Sequence, residues 1–257
     1  ELAPQGSLLT YMEVRAQTVT LPSHHVLVSG NYADYSGTTP YPERRNMGPR
    51  TPTLCEAYRA HSGAHADSCW VVSNSDYLHD TIYGVMPGYG EPLGGSRSIF
   101  YDADPNDQWS WDEVDTVLAG GEVDLMVVNL NETDLEGHRA DWDTYTGAAA
   151  TASENLVGFW ERLQADPVYQ DNSVLIVTSD HGRHLEGVET GWQGHGDECA
   201  GCRNVFLLAL GPGIREGLIS DMSCSFLDVA PTVAHLMGFP FPYSRGRVLT
   251  EILEDGD

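Results

Sequence analysis

The sequence contains no lysine, so all 13 of its basic side chains are arginines. It also lacks any long hydrophobic run: the apolar stretches at 125–130 and 205–210 are far shorter than the roughly 18–20 residues that a membrane span needs. No internal repeat or low-complexity tract is present, and 257 residues with 41% hydrophobic content are enough for one sizeable core. We therefore expect a single domain over residues 1–257 and no membrane span, while the oligomeric state stays open.

Because lysine is absent, positive charge is scarce and the formal net charge is −25. Such an acidic surface repels nucleic acids and anionic membranes, so no nucleic-acid-binding domain is expected. It would also repel a phosphate substrate. An anion site in this chain therefore needs a strong local positive charge, which bound metal ions usually supply. A salt-adapted or GC-biased source organism is the alternative explanation of the acidic composition.

The five cysteines cannot all pair within one chain. Cys199 and Cys202 form a CxxC in the turn-like stretch GDECAGCRN, which is typical of a short-loop disulfide, half of a zinc site or a redox pair. No second CxxC exists to complete a four-thiolate site. A local disulfide or two free thiols is therefore favoured over a structural metal.

The apolar runs predict the sheet. Runs at 125–130, 174–178 and 205–210, with a weaker one at 70–72, are typical of buried parallel strands. An amphipathic helical pattern at 145–163 separates the first two, and strand, helix and strand in this order predict a parallel βαβ unit. A second helix is expected at about 227–237, and residues 31–50 form a predicted long surface loop beside the site.

Residues able to bind metals follow or precede these runs. Asp134 and His138 are four residues apart after the first run, and Asp180 and His181 are adjacent after the second. His195 lies between two glycines ahead of the third. Since ligands of parallel sheets bind at the carboxyl ends of strands, this distribution is what a metal site requires. Taken singly, each motif also fits a helix cap, a strand-ending turn or a solvated histidine.

Thr20 is the candidate nucleophile. It stands in TLPSH, where Pro22 fits the first turn of a helix, so we expect Thr20 just ahead of a helix N-terminus that attracts anions. A hydroxyl group there, deprotonated with the help of a metal, can attack phosphorus. The alternatives are an ordinary threonine N-cap at Thr20 and a rival nucleophile at Thr51, in TPT ahead of the helical pattern LCEAYRAH.

Together, the order and spacing of TLPSH, DLEGH, DHG and GHG resemble the alkaline phosphatase superfamily, especially its nucleotide pyrophosphatase/phosphodiesterase and phosphonoacetate hydrolase branches. The run NVFLLALGPGI and the tail DVAPTVAHLMGFPFP resemble the family's last strand and closing helix. The resemblance covers residues 16–249. It implies a three-layer α/β/α sandwich with a mainly parallel central sheet.

The resemblance also implies a mechanism with two zinc ions or other divalent metals. One ion would take Asp134, His138 and His195, and the other would take the residues of the remaining motifs, Asp180, His181 and the Thr20 oxygen. A small-molecule phosphate mono- or diester would then be hydrolysed through a phosphothreonine. The alternatives are sulfate or phosphonate ester hydrolysis or phosphomutation on the same scaffold, or a degenerate metal-binding homologue without catalysis. Sulfatases use Cys or Ser at the nucleophile position, so Thr20 favours phosphorus.

Two substrate contacts are predicted beside these ligands. Arg183 follows the Asp-His pair and is a candidate phosphate contact, with a surface salt bridge as its alternative. Asn31, just past the Thr20 helix, is a candidate donor to a phosphate oxygen, with a turn-capping role as its alternative.

The chain departs from the family at its start. Family members open with a strand ending in an Asp that binds the second metal, and nothing before Thr18 resembles it. The chain begins at Glu1 without Met. We therefore expect a processed or trimmed chain whose first strand is missing and whose sheet is damaged at its edge or centre. A periplasmic or secreted protein is expected, and a cytoplasmic one stays open.

Overall fold

The computed structural model describes residues 1–32, 48–75, 78, 83–99, 106–121 and 123–254. Its strands are β1 (Gly6–Glu13), β2 (Cys69–Ser73), β3 (Ser96–Ile99), β4 (Leu125–Asn129), β5 (Leu175–Thr178), β6 (Asn204–Leu210), β7 (Leu218–Ser220) and β8 (Cys224–Ser225). Its α-helices are α1 (Thr20–Ser29), α2 (Leu54–Ser62), α3 (Asp107–Gly120), α4 (Glu132–His138), α5 (Trp142–Ala165), α6 (Ala200–Arg203) and α7 (Val229–Leu236). Most of the predicted loop at 31–50 lies outside the described residues.

The strands form two sheets. A three-stranded sheet with the order β3-β2-β4 is parallel throughout, whereas a five-stranded sheet has the order β5-β6-β1-β7 with β8 beside β1. In the larger sheet β6 runs antiparallel to both β5 and β1. The prediction of a mainly parallel central sheet therefore describes the smaller sheet only. The reason lies in the β5–β6 connection, which lacks a crossover helix, so the chain returns antiparallel.

The expected βαβ unit is also corrected in part. Helix α5 does connect β4 to β5, but the two strands pair in different sheets. Each is the last strand of its sheet within the described residues, and every residue of β4 and β5 is half-buried. An upstream first strand stays a prediction.

Helices cover both faces of the smaller sheet, as strand alternation requires. On β4, Leu125 and Val127 pack in a cluster with Cys55 of α2. Met126 and Val128 point the other way, into a cluster formed mainly by aromatic and aliphatic side chains of α3 and α5. The sheet between two helical layers gives a three-layer α/β/α architecture.

The first strand of the chain was not predicted from the sequence. β1 lies between β6 and β7, and its pairing with β6 shifts register between Leu9 and Met12. Both side chains are fully buried in the core under α1 and α7. Because the irregularity places two residues three apart on one face, the period of two that identifies a strand is lost.

Within the described part of the chain, none of the helices combines the length and the apolar character needed to cross a membrane.

Candidate metal centre

Asp134, His138 and His195 form the first cluster of potential ligands. The first two lie four residues apart on α4, so they share a helix face, and the loop ahead of α6 brings in His195. His138 Nε2 lies 3.0 Å from His195 Nε2 and 3.4 Å from Asp134 Oδ2, and His195 Nε2 lies 3.5 Å from Asp134 Oδ1. These separations approximate the edges of a tetrahedron around a zinc ion, which are about 3.3 Å when bonds to N and O are about 2.0 Å long.

The carboxylate of Asp134 is held in its ionised form. Burial alone would raise the pKa of Asp134, but the hydrogen bond with His138 and the charge of Arg183 outweigh it, and the pKa falls to about 2. Arg183 forms an ion pair with this carboxylate and also donates to the Asp134 carbonyl oxygen at 2.6 Å. The side chain of Asp134 is therefore anionic at neutral pH.

His195 is held neutral and oriented. Burial and the neighbouring ring of His181 lower the pKa of His195 to about 4. Its Nδ1–H donates to the carbonyl oxygen of Thr18 at 2.8 Å. This bond fixes the tautomer in which the Nε2 lone pair points toward Asp134 and His138, as metal-binding histidines require.

Asp180 and His181 form the second half of the site, directly after β5. Asp180 Oδ2 lies 3.4 Å from His181 Nε2, and the His181 ring stacks on the His195 ring at a centroid distance of 3.7 Å. The two halves of the site are therefore in contact. His181 Nδ1 lies 3.1 Å from the Gly182 carbonyl oxygen, so it carries the proton.

The opposite nitrogen, His181 Nε2, is buried without a hydrogen-bond partner and faces the Asp180 carboxylate. A buried lone pair beside a carboxylate lacks a donor, and a cation would satisfy both groups. The oxygen and nitrogen donors of the two halves thus fit divalent metal ions.

The segment around Thr20 contacts both halves of the site through Thr18 and His24. Thr18 accepts the bond from His195, and His24 Nδ1 lies 2.8 Å from the Thr20 carbonyl oxygen and 3.8 Å from Asp180 Oδ2. Helix α1 begins at Thr20 itself, after Val19 as N-cap without a side-chain cap bond. The expectation that Thr20 precedes the helix is therefore off by one residue, and Thr20 does not act as a side-chain cap.

The segment at 51–53, which contains the rival nucleophile, differs from the Thr20 segment in its side-chain hydrogen bonds. Thr53 forms a capping box with Glu56 at the start of α2, as expected of a plain cap. The hydroxyl oxygen of Thr51 is buried and has no hydrogen-bond partner. Thr51 and Thr20 are both half-buried as residues, so burial does not distinguish them and the assignment of Thr20 as the nucleophile stays a prediction.

The two predicted substrate contacts have local partners. The Arg183 guanidinium is nearly buried on Asp134, bonds to the Trp192 carbonyl oxygen at 3.3 Å and lies over the Tyr145 ring. The Asn31 amide donates to the Tyr243 carbonyl oxygen at 3.1 Å, and Asn31 also lines a pocket of about 420 Å³ with Arg50 and Arg245 among other residues. A phosphate-binding role for Arg183 and Asn31 stays a prediction.

Sequence reasoning missed two features of this region. His24 received no role, although its position four residues after Thr20 returns its ring to the first turn of α1, and this spacing was the available signal. The second feature is a cluster of four further potential ligands, His184, Asp197, Cys199 and Cys202. Only the CxxC half of that cluster is visible in the sequence.

Similarity to known proteins identifies the family of this chain. The family model of the metalloenzyme superfamily matches residues 94–241. The 2,3-bisphosphoglycerate-independent phosphoglycerate mutase of Ectopseudomonas mendocina (strain ymp) is 25% identical over 196 residues, which are 71% of this chain and 36% of the mutase. That of Mesoplasma florum is 27% identical over 124 residues, 47% of this chain and 21% of the mutase. The chain thus spans only about a third or less of these relatives.

Solved structures agree on the fold. Murine ectonucleotide pyrophosphatase/phosphodiesterase 5 superposes with a TM-score of 0.67 at 12% identity, and the alignment covers 98% of this chain and 93% of that one. The phosphonate monoester hydrolase from Silicibacter pomeroyi superposes with a TM-score of 0.63 at 11% identity, covering 100% of this chain and 72% of that one. Since the family model matches more than half of the 257 residues, the chain belongs to the metalloenzyme superfamily, and its predicted resemblance to the alkaline phosphatases is confirmed.

Proposed function

We propose that this protein is a metal-dependent phosphoryl-transfer enzyme that hydrolyses small-molecule phosphate esters through a phosphothreonine at Thr20. The observation that carries this proposal is the contact between the two halves of the site, where the His181 and His195 rings stack at 3.7 Å beside the first turn of α1. Carboxylates and oriented imidazoles are therefore gathered in one small region beside the segment that carries Thr20.

The proposed cofactors are two zinc ions, one on Asp134, His138 and His195 and one on Asp180 and His181 with the Thr20 oxygen. Bound there, divalent ions would polarise the phosphoryl oxygens and supply the positive charge that a protein with a net charge of −25 otherwise lacks.

The chain's own residues would perform the remaining chemistry. The Thr20 oxygen attacks phosphorus, the P–O bond to the alcohol breaks, and the alcohol leaves with the proton that the Thr20 hydroxyl group gives up. The backbone N–H groups of Thr20 and Leu21, at the start of α1 ahead of Pro22, would stabilise the negative charge that develops on the phosphoryl oxygens. Water then attacks the phosphothreonine and regenerates the hydroxyl group of Thr20, releasing phosphate from a monoester substrate or a phosphate monoester from a diester substrate.

A second candidate function is phosphomutation. The curated relatives are mutases, which pass a phosphoryl group to another hydroxyl group of the substrate instead of to water. The first steps at Thr20 would be the same, and only the final acceptor would differ. Sulfate or phosphonate ester hydrolysis stays a further alternative on the same scaffold.

A substrate panel with zinc-loaded protein tests the proposal. We expect release of alcohol from phosphate mono- or diesters, with one oxygen of the product phosphate derived from labelled water. A product that keeps its phosphoryl group on a different hydroxyl would assign a mutase. If protein saturated with zinc turns over no ester, the proposal fails.

A further inference from the structure

The second cluster of potential ligands lies outside the proposed phosphoryl-transfer chemistry. His184, Asp197, Cys199 and Cys202 each offer one ligand atom, and all four atoms lie within 4.8 Å of one another. His184 Nδ1 is central to the group. It lies 3.3 Å from Cys202 Sγ, 3.5 Å from Cys199 Sγ and 3.3 Å from Asp197 Oδ1.

We propose that these four side chains bind a structural zinc ion. Bonds of about 2.3 Å to sulfur and about 2.0–2.1 Å to nitrogen or oxygen give tetrahedral edges of about 3.5 Å between S and N and about 3.3 Å between N and O. The observed separations around His184 match these edges. Two thiolates, an imidazole and a carboxylate form a closed site that selects zinc over magnesium or calcium.

The local backbone already has the form of a metal-binding turn. Cys199 is the N-cap of α6, and the backbone N–H of Cys202 donates to Cys199 Sγ at 3.4 Å. The backbone N–H of Cys199 donates to Asp197 Oδ1 at 2.9 Å. N–H donors stabilise a thiolate or carboxylate in place, so the turn holds the donor atoms on one side before any ion arrives.

Of the three alternatives that a CxxC leaves open, the surroundings favour the metal. All five cysteines are free thiols, so no disulfide joins this pair. A bound metal deprotonates its thiols outright, and an adjacent imidazole and carboxylate are the partners it needs.

The proposed ion would join the two loops that carry the ligands of the first site. His184 follows His181 by three residues, and Asp197 follows His195 by two. The same loops are connected by backbone bonds from His184 N–H to the Gly194 carbonyl oxygen at 3.0 Å and from Gly182 N–H to the Cys202 carbonyl oxygen at 2.9 Å. The ion would therefore fix the positions of the stacked His181 and His195 rings.

Cobalt substitution of the full chain tests this proposal independently of catalysis. Co²⁺ bound by thiolates shows an intense sulfur-to-metal charge-transfer absorption, and the nitrogen and oxygen ligands of the first site cannot produce it. The metal is first removed with a chelator, and Co²⁺ is then added stepwise. We expect this band to grow until the thiolate site holds one Co²⁺ ion per chain. Absence of the band in the wild-type chain overturns the proposal, and so does a Cys199–Cys202 disulfide in natively purified protein.

Variants assign the band to residues. Cys202→Ser should abolish it, whereas Cys224→Ser, which changes a buried thiol on β8, and His138→Ala, which removes a ligand of the first site, should keep it. If Cys202→Ser does not fold, His184→Gln keeps both thiols and should weaken cobalt binding by at least about ten-fold. A band that is unchanged in Cys202→Ser or His184→Gln would overturn the assignment.

Discussion

The cluster of Asp134, His138 and His195 offers three nitrogen and oxygen ligands, and the side chain of His138 is 47% exposed. The neighbouring cluster around His184 offers four ligands, two of them sulfur; its His184 side chain is 6% exposed and its Asp197 side chain 41%. Metal sites with three protein ligands and access to solvent keep a position for substrate, whereas closed sites with four ligands support the fold.

One short region of the chain can therefore carry a site that is open to substrate and a site that supports the fold. The segment from Asp180 to Cys202 contributes to both clusters, and its loops are joined by backbone hydrogen bonds. Rigid support directly behind the reactive groups preserves the geometry that transition-state stabilisation requires. A change confined to the ligands of the first cluster should therefore leave the cluster around His184 intact, whereas a change in the loops that they share should damage both.

The largest expected effect is that of Thr20→Ala on turnover. The proposed covalent intermediate cannot form without the Thr20 oxygen, so we expect kcat to fall by at least about 10³-fold. Because Thr20 makes no side-chain cap bond, the variant should keep its stability. Steady-state kinetics and zinc analysis measure both quantities.

Thr51→Ala is the matched control for Thr20→Ala, since it removes the same atoms from a buried hydroxyl group. It should keep full activity. Full activity of Thr20→Ala together with an inactive Thr51→Ala would mean that the wrong threonine has been assigned.

Gly182→Ala should damage both clusters at once. A Cβ atom at this position would overlap the carbonyl oxygen of Gly201, which is rigid backbone, and would push the Asp180–His181 loop away from α6. Overpacking of this kind costs about 1–3 kcal/mol of unfolding free energy. We expect a lower Tm, weaker cobalt–thiolate absorption and reduced turnover in the same variant.

Gly147→Ala on α5 is the control, because a Cβ atom there would meet nothing within 4 Å. In a helix this change should stabilise by up to about 1 kcal/mol. A Gly182→Ala protein with wild-type Tm and activity would refute the coupling of the two clusters through this loop.

Gly137→Ala should affect the first cluster alone. A Cβ atom at 137 would overlap the end of the Arg183 side chain, which is flexible and would move away from Asp134. Loss of a partner that orients a metal ligand costs about 10–100-fold in metal affinity or activity. The cobalt–thiolate band should stay unchanged. Loss of that band along with activity would mean that the clusters are not separable.

The sequence predicted the elements whose patterns are regular. The runs at 125–130, 174–178 and 205–210 are strands, and the pattern at 145–163 lies within α5, because burial of a continuous apolar face leaves a clear period. It did not predict β1, whose register shift removes the period, or the antiparallel direction of β6, which depends on the connection between strands and not on the strand itself.

The residues of the two clusters also differ in how far they could be predicted from the sequence. Asp134 and His138, or Asp180 and His181, are close in sequence, so their spacing can be recognised without a structure. His184 and Asp197 join Cys199 and Cys202 only because two loops fold against α6. A cluster assembled by tertiary packing from mixed residue types has no fixed spacing, and this is why only its CxxC was visible.

The smallest expected effect is the pH dependence of stability in chelator-treated protein. The folded-state pKa of His195 is lowered to about 4 from 6.5 by burial and by the neighbouring ring of His181. Between these values the unfolded chain binds more protons, so the unfolding free energy should fall as the pH is lowered from about 6.5 to about 4, by about 1 kcal/mol once solvent screening is considered. Because the pKa of Asp134 is about 2, the unfolding free energy should continue to fall below pH 3.8.

Urea titrations at several pH values measure this dependence. His195→Gln should reduce the change in unfolding free energy between about pH 6.5 and about pH 4, whereas His235→Gln, at an exposed position on α7, should not. An unchanged slope in His195→Gln would show that His195 is not the buried neutral group that the first cluster requires.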